Sequence, residues 1–225
     1  MYIQKAISFP LFLALVAGCK INSHHEVFIS ELRDISSGNQ AQGELQSIFR
    51  TSLPTSERCE RYRPLILKIF AKYHDKVSTG ECVVSGKFVD LTFTAATPLV
   101  RLSADPIPGT NIFALAVQPG QKPGTVHLFA TQDLRRLAHL QMEIRAIDFD
   151  ASRETITIEQ VTVVLNNDTG GTVRISAPSA FVNREPELVV AADIARRSRL
   201  ELRLSDVSVA QLGRSGQVFI GIVGN

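Results

Sequence analysis

Tryptophan is absent from this chain of 225 residues, and tyrosine occurs only three times. Proteins that bind sugars on aromatic platforms need exposed rings, so this scarcity argues against such a function. Acidic and basic side chains nearly balance, which gives a formal net charge of +2. Nucleic-acid-binding proteins concentrate Lys and Arg on one face, and the sequence contains no such concentration. We therefore expect no nucleic-acid partner.

The chain also lacks an apolar run of the roughly 20 residues that a membrane-spanning helix requires. Its N-terminal apolar stretch, residues 6–17, has about a dozen residues, the length of a secretory h-region. Lys5 places a positive charge before the stretch, and Pro10 interrupts it. We interpret residues 1–18 as a signal peptide.

The signal peptide ends in Val16-Ala17-Gly18, and Cys19 follows directly. This arrangement resembles the bacterial lipobox, although an ordinary signal-peptidase site also requires small residues. The resemblance implies cleavage before Cys19 and acylation of Cys19 with fatty acids such as palmitate, which attach the protein to the cell envelope. In enterobacteria-like lipoproteins, an aspartate after the cysteine retains the protein in the inner membrane. Lys20 stands there instead, so we expect the outer membrane rather than the inner one.

Cysteine is scarce, at three residues in total. If Cys19 carries lipid, Cys59 and Cys82 remain as an even pair. In an exported chain, such a pair is typical of one structural disulfide. A metal site would need histidine or cysteine partners at ligand spacing, and none lies near either residue. The sequence thus predicts a Cys59–Cys82 disulfide and neither a metal nor a cofactor.

The lipid attachment point and the folded body are close in sequence. Residues 19–25 are interpreted as a lipidated tether, and the adjacent His24 and His25 as tether residues rather than metal ligands. Residues 26–225 then form one β-rich domain. A soft boundary near 105–125, where Pro and Gly are frequent, is an alternative division that leaves a sandwich-like C-terminal half.

Alternating apolar and polar residues, separated by turn sequences, predict short antiparallel strands, beginning with residues 26–35. One segment differs, because apolar residues from Cys59 to Tyr73 recur at steps of three and four, the pattern of an amphipathic helix. Pro64 predicts a kink or a break in that helix. The expected fold class is α+β, mainly β, with an antiparallel β-sandwich-like body and one amphipathic helix packed on it.

Residues that carry chemistry are dispersed along the chain. Residues 166–171 contain Asn, Asp and Gly, but they lack the later Glu of a calcium loop, so a hairpin turn is favoured. His127 and His139 could act as catalytic bases, but the sequence contains no nucleophile elbow of the Gly-x-Ser-x-Gly type. Asp148 and Asp150 have the spacing of paired carboxylates, although charged strand residues usually face water. No catalytic residue is assigned, and we expect a protein that is not an enzyme.

Three segments of the C-terminal half share a pattern with a known family: residues 163–170 (VVLNNDTG), 178–183 (PSAFVN) and 202–207 (LRLSDV). Together with the lipobox and the cysteine pair, they resemble a family of uncharacterised lipoproteins from bacterial and prophage genomes. The resemblance extends over most of the mature chain. It implies one compact unit and no known activity.

These observations favour a membrane-anchored lipoprotein that acts through protein contacts at the outer membrane. The prophage-like resemblance suggests superinfection exclusion, in which an anchored domain occludes a phage receptor. Two alternatives stay open. One is an envelope-assembly or ligand-binding periplasmic lipoprotein, and the other is a hydrolase whose catalytic residues are dispersed in sequence.

Overall fold

The computed structural model describes residues 20–103, 107–147 and 157–224. Within these ranges the chain forms eleven strands and four helices, which follow one another in this order: β1 (Lys20–Phe28), α1 (Ile29–Ser37), β2 (Gln42–Leu53), α2 (Ser56–Phe70), β3 (Glu81–Ser85), β4 (Phe88–Arg101), β5 (Phe113–Pro119), β6 (Val126–Gln132), α3 (Leu134–Arg145), β7 (Thr157–Asn166), β8 (Val173–Val182), β9 (Glu185–Ile194), β10 (Arg199–Leu204), α4 (Asp206–Ser215) and β11 (Gln217–Gly224).

Nine of the strands form a closed barrel, in the order β10-β7-β1-β2-β4-β5-β6-β11-β8. A short pairing of β8 with β10, at Val182 and Leu202, closes the ring. The ring pairs are antiparallel except for β1–β7 and β4–β5, which are parallel. The remaining two strands lie outside the ring, β3 beside β4 and β9 beside β8.

The predicted sandwich with one helix is therefore wrong, whereas the mainly β composition is confirmed. Sandwiches and barrels bury alternate residues of each strand, so alternation along one strand is the same in both. Long-range pairing distinguishes them, and here the pairing of β8 with β10 joins the two ends of one continuous sheet. The region 105–125 contributes β5 to this same ring, and its residues 104–106 lie outside the described ranges.

Inward positions alternate along the ring strands, as β2 illustrates. Leu45, Ser47 and Phe49 are buried, whereas Gln46 and Ile48 between them are exposed. Leu45 and Phe49 belong to two different apolar clusters, so the clusters follow one another along the same inward face.

Helices complete each cluster. In the first, called the α1 cluster, α1 inserts three fully buried side chains, Ile29, Leu32 and Ile35. The second, called the α2 cluster, joins α2 and α3 to β1, β2 and β4. It lies where β1 begins and β2 ends, because it contains Ile21 and Leu53. Each end of the interior is thus filled by protein.

The predicted helix exists as α2, and its stripe of buried residues agrees with the sequence pattern. Cys59, Ile66, Ile69 and Phe70 face the interior. The side chain of Thr55 accepts a hydrogen bond from Arg58 N and so caps the N-terminus. The helix continues through Pro64, so of the two expectations, a kink or a break, the break is wrong.

The beginning of the chain also departs from expectation. Residues Lys20–His25, predicted as tether, lie in β1, and the strand predicted at 26–35 is replaced after Phe28 by α1. The inward residues Ser23 and His25 are polar, so the apolar alternation that identifies a strand is missing there. Among the described residues, no helix is long and apolar enough to cross a bilayer.

Candidate interaction surface

A buried polar layer separates the two apolar clusters inside the barrel. His25 Nδ1 lies 2.6 Å from Ser47 Oγ, because the two residues are direct partners across β1 and β2. The His25 ring also stacks on Phe113, with 4.8 Å between ring centroids. A histidine bonded to a serine is the core of many nucleophilic sites. Here both side chains are fully buried, so the pair fills the core rather than facing a substrate.

Burial fixes the protonation state of this layer. It lowers the pKa of His25 to about 3, and repulsion from His24 and His74 acts in the same direction. Burial also lowers the pKa of His74 to about 4, although a hydrogen bond with the Ala96 backbone opposes the shift. Both rings are therefore neutral at pH 7. His25, predicted as a tether residue, is a core residue.

The exposed surface offers two strands whose outer edges pair with no described strand, β3 and β9. Among the described strands, these two each have an outer edge without a partner, at which a strand of another molecule can pair. Both strands carry exposed apolar side chains. On β3 and the adjoining start of β4 these are Val83, Val84 and Phe88, and on β9 they are Leu188 and Val189.

Residues 185–189 of β9 are exposed on both faces of the strand, whereas Val190 and Ile194 are buried. Leu188 and Val189 are neighbours and so point to opposite faces of the strand, yet their exposed fractions are 86% and 72%. The strand carries three acidic residues, Glu185, Glu187 and Asp193, and no basic residue. It therefore presents an open edge that combines apolar and acidic character.

The hairpin of β3 and β4 differs in how it is held. Cys59 and Cys82 lie at disulfide distance, with 6.0 Å between their Cα atoms, so the pairing expected from the sequence joins α2 to β3. Val84 and Phe88 lie beside the turn, with exposed fractions of 70% and 45%. This hairpin is thus an apolar projection attached covalently to a helix.

The turn at residues 166–171 is structural. Asn167 donates hydrogen bonds to the carbonyls of Gly171 and Ile194, at 2.8 and 2.7 Å. Asp168 accepts hydrogen bonds from the backbone N–H and the hydroxyl of Ser30. Burial alone would raise the pKa of Asp168, but these bonds outweigh it and lower the pKa. The turn therefore fixes the beginning of α1. It connects β7 to β8, which do not pair with each other, so the hairpin expected from the sequence is wrong.

The other residues singled out from the sequence do not converge. His127 lies on β6, where its ring meets the edge of Phe219 at 5.8 Å between centroids, and His139 is exposed on α3. Cys19, Asp148 and Asp150 lie outside the described residues. In the described segments, no group of three or more His, Cys, Asp or Glu side chains is arranged to hold a metal ion.

The comparisons with known proteins identify the domain but no activity. A family model described as "Domain of unknown function (DUF7424)" matches residues 22–223. No curated protein and no solved structure matches the chain. The matched range runs from β1 to β11 and so includes every strand of the ring. The chain therefore belongs to the DUF7424 family, and the closed barrel with its two outer strands is the structure of that domain.

Proposed function

We propose that this protein is a bacterial lipoprotein, attached to the outer membrane through Cys19, and that it binds another envelope protein rather than catalysing a reaction. The observation that carries the proposal is the open edge of β9. Its exposed apolar residues, Leu188 and Val189, form a surface of the kind that strand-adding partners cover. The interior offers no comparable surface, because side chains from both clusters fill it.

The short distance between anchor and barrel supports a membrane partner. Only one peptide bond separates Cys19 from Lys20, where β1 begins. A lipid on Cys19 therefore holds the barrel beside the bilayer, where confinement raises its effective concentration toward membrane proteins. With the prophage-like resemblance, this favours superinfection exclusion, in which the barrel occupies an outer-membrane phage receptor from the periplasmic side.

The test compares phage plating on host cells that express the wild type, Cys19→Ala or the double variant Leu188→Asp/Val189→Asp. We expect resistance to at least one phage with the wild type and loss of that resistance with both variants. Val207→Asp is a matched control, because Val207 is also highly exposed but lies on α4. Equal plating on all strains, with correctly lipidated wild type, would contradict exclusion.

A role in envelope assembly is the second candidate, and the same open edge favours it. An unpaired strand edge can receive an extended segment of a client protein through main-chain hydrogen bonds. A photo-crosslinking amino acid at position 188 would then capture an envelope protein in cells without any phage. Absence of a crosslinked product at 188, when the protein is lipidated and abundant, would argue against both contact functions.

A further inference from the structure

The strand register brings the β3–β4 hairpin to the end of the barrel where the chain begins. Ile21 pairs with Thr51, Thr51 with Leu91, and Leu91 with Cys82. Neighbouring strands are about 4.8 Å apart, so this row of four residues is about 14 Å wide. Cys19 precedes Ile21 by two residues. A lipid on Cys19 therefore starts at the same end as the hairpin.

The hairpin extends beyond that row in the direction of the lipid. β4 begins at Phe88, three positions before Leu91, and runs in the same direction as β1 because both pair antiparallel with β2. At about 3.3 Å per residue, the turn reaches about 10 Å past the row. Phe88 directly follows the turn, Val84 precedes it by two residues, and both are exposed; Lys87 lies within the turn. An apolar tip with a lysine is suited to the interfacial region of a bilayer.

The two helices of the α2 cluster at this end, α2 against the hairpin and α3 against α2, carry an excess of positive charge. α2 contains four basic and two acidic residues, and α3 contains three basic and one acidic residue. Some of these charges are paired, as in Arg63 with Glu60 and Lys72 of the following loop with Glu143. Two exposed apolar side chains, Leu65 of α2 and Met142 of α3, accompany the charge. Basic surfaces with apolar side chains are attracted to anionic phospholipid headgroups.

We propose that this end of the barrel, formed by the β3–β4 hairpin, α2 and α3, rests on a phospholipid bilayer as a second and non-covalent membrane contact. The inference depends on the proposed lipid on Cys19 and deepens it. The lipid fixes one point of the barrel, and the apolar hairpin about 14 Å away fixes a second. Two points restrict rotation about the lipid. In the strand order, β5, β6 and β11 separate β4 from β8, which carries the acidic strand β9, so β9 stays available to a protein.

The absence of tryptophan from the native chain makes a direct test simple. Phe88→Trp and, as a control, Leu188→Trp each introduce a single fluorophore at an exposed apolar position. Each lipidated protein is purified from membranes and placed in vesicles of phosphatidylethanolamine and phosphatidylglycerol, with or without brominated phospholipid. We expect brominated lipid to quench Phe88→Trp emission by at least half and to leave Leu188→Trp emission nearly unchanged.

A second variant tests whether the basic side chains of α2 contribute to the membrane contact. Adding Arg61→Glu and Lys68→Glu to Phe88→Trp reverses two exposed charges of α2. We expect weaker quenching with these substitutions and also when salt is raised in the parent protein, because salt screens headgroup attraction. Quenching that is insensitive to both changes would overturn the role of the basic helices.

Failure of the inference can be told from failure of the proposed function. Mass spectrometry first establishes whether Cys19 is acylated; an unmodified Cys19 would refute the lipoprotein itself. A lipidated protein in which brominated lipid quenches neither tryptophan, or both equally, would overturn the hairpin contact alone. If Phe88→Trp becomes shielded only after an outer-membrane protein is added, the hairpin binds protein and the bilayer contact is also overturned.

Discussion

The two strands outside the ring, β3 and β9, differ in length, in how they are held and in the charge around them. Each adds to an edge that the barrel leaves free and each exposes apolar side chains, but β3 has five residues and β9 has ten. The Cys59–Cys82 bond attaches β3 to α2, whereas β9 is held by main-chain pairing with β8. The surroundings of β3 are basic and β9 itself is acidic. This difference in charge is the reason for proposing a different partner for each strand, a bilayer for the hairpin and a protein for β9.

Substitutions of buried residues beside the two strands should change the free energy of unfolding most, so they test the comparison most strongly. Leu91 of β4, which pairs with Cys82 of β3, is fully buried in the α2 cluster, and Val190 of β9 is fully buried in the α1 cluster. We expect Leu91→Ala to lower the free energy of unfolding by about 2–5 kcal/mol. This loss should exceed the loss from Val190→Ala, because truncating leucine to alanine leaves a larger cavity than truncating valine does. Urea denaturation of both variants measures this. A larger loss from Val190→Ala would mean that β9, not the hairpin, is the better-packed strand.

Removing the disulfide should loosen only one of the two outer strands. The bond closes a loop with a sequence separation of 23 residues, and its constraint on the unfolded chain is worth about 3 kcal/mol in the chain-entropy model. The double variant Cys59→Ala/Cys82→Ala should lose about that much stability. Amide hydrogen exchange should become faster in β3, while β9 shows no change beyond the global loss. Equal acceleration in both strands would show that they unfold as one unit.

Acid should destabilise the barrel through its two buried histidines, His25 and His74, of which His74 contacts the cluster on the side of the hairpin. His74, whose ring lies 4.9 Å from that of Phe49 in the α2 cluster, has a folded pKa of about 4 against 6.5 when unfolded. The unfolded chain therefore binds more protons between these values, so stability falls as the pH drops below 6.5. From pH 7 to pH 5 the loss is about 2 kcal/mol for this group. His74→Phe should reduce the pH dependence by that amount, measured by denaturation at both pH values.

The smallest effect on stability is expected at β9. Leu188→Asp replaces a side chain that is 86% exposed, so the free energy of unfolding should change by no more than about 0.5 kcal/mol. Crosslinking to the partner, with the photo-crosslinking amino acid moved to position 189 in this variant, should nevertheless be lost, because the charge would enter an apolar contact. Phe88→Asp is the matched variant on the hairpin, and it should retain the partner crosslink. Loss of the crosslink in both variants would mean that the two surfaces serve the same partner.

Local patterns in the sequence identified those features that depend on neighbouring residues. The stripe of Cys59, Ile66 and Ile69 predicted α2, and alternation predicted most strands. The same reasoning failed at β1, where the polar residues Ser23 and His25 occupy inward positions of the core. It also missed α1, whose residues Ile29, Leu32 and Ile35 have helical spacing but were assigned to a strand.

The sequence by itself determined the candidate anchor at Cys19, the pairing of the two remaining cysteines, the mainly β composition and the position of α2. Only the tertiary structure decided that the sheet closes, through Leu202 and Val182, residues 20 positions apart. It also decided that His25 is buried beside Ser47 and that β3 and β9 keep free edges. The physical reason is that alternation reports which face of a strand is buried, whereas closure depends on which distant strand becomes its neighbour.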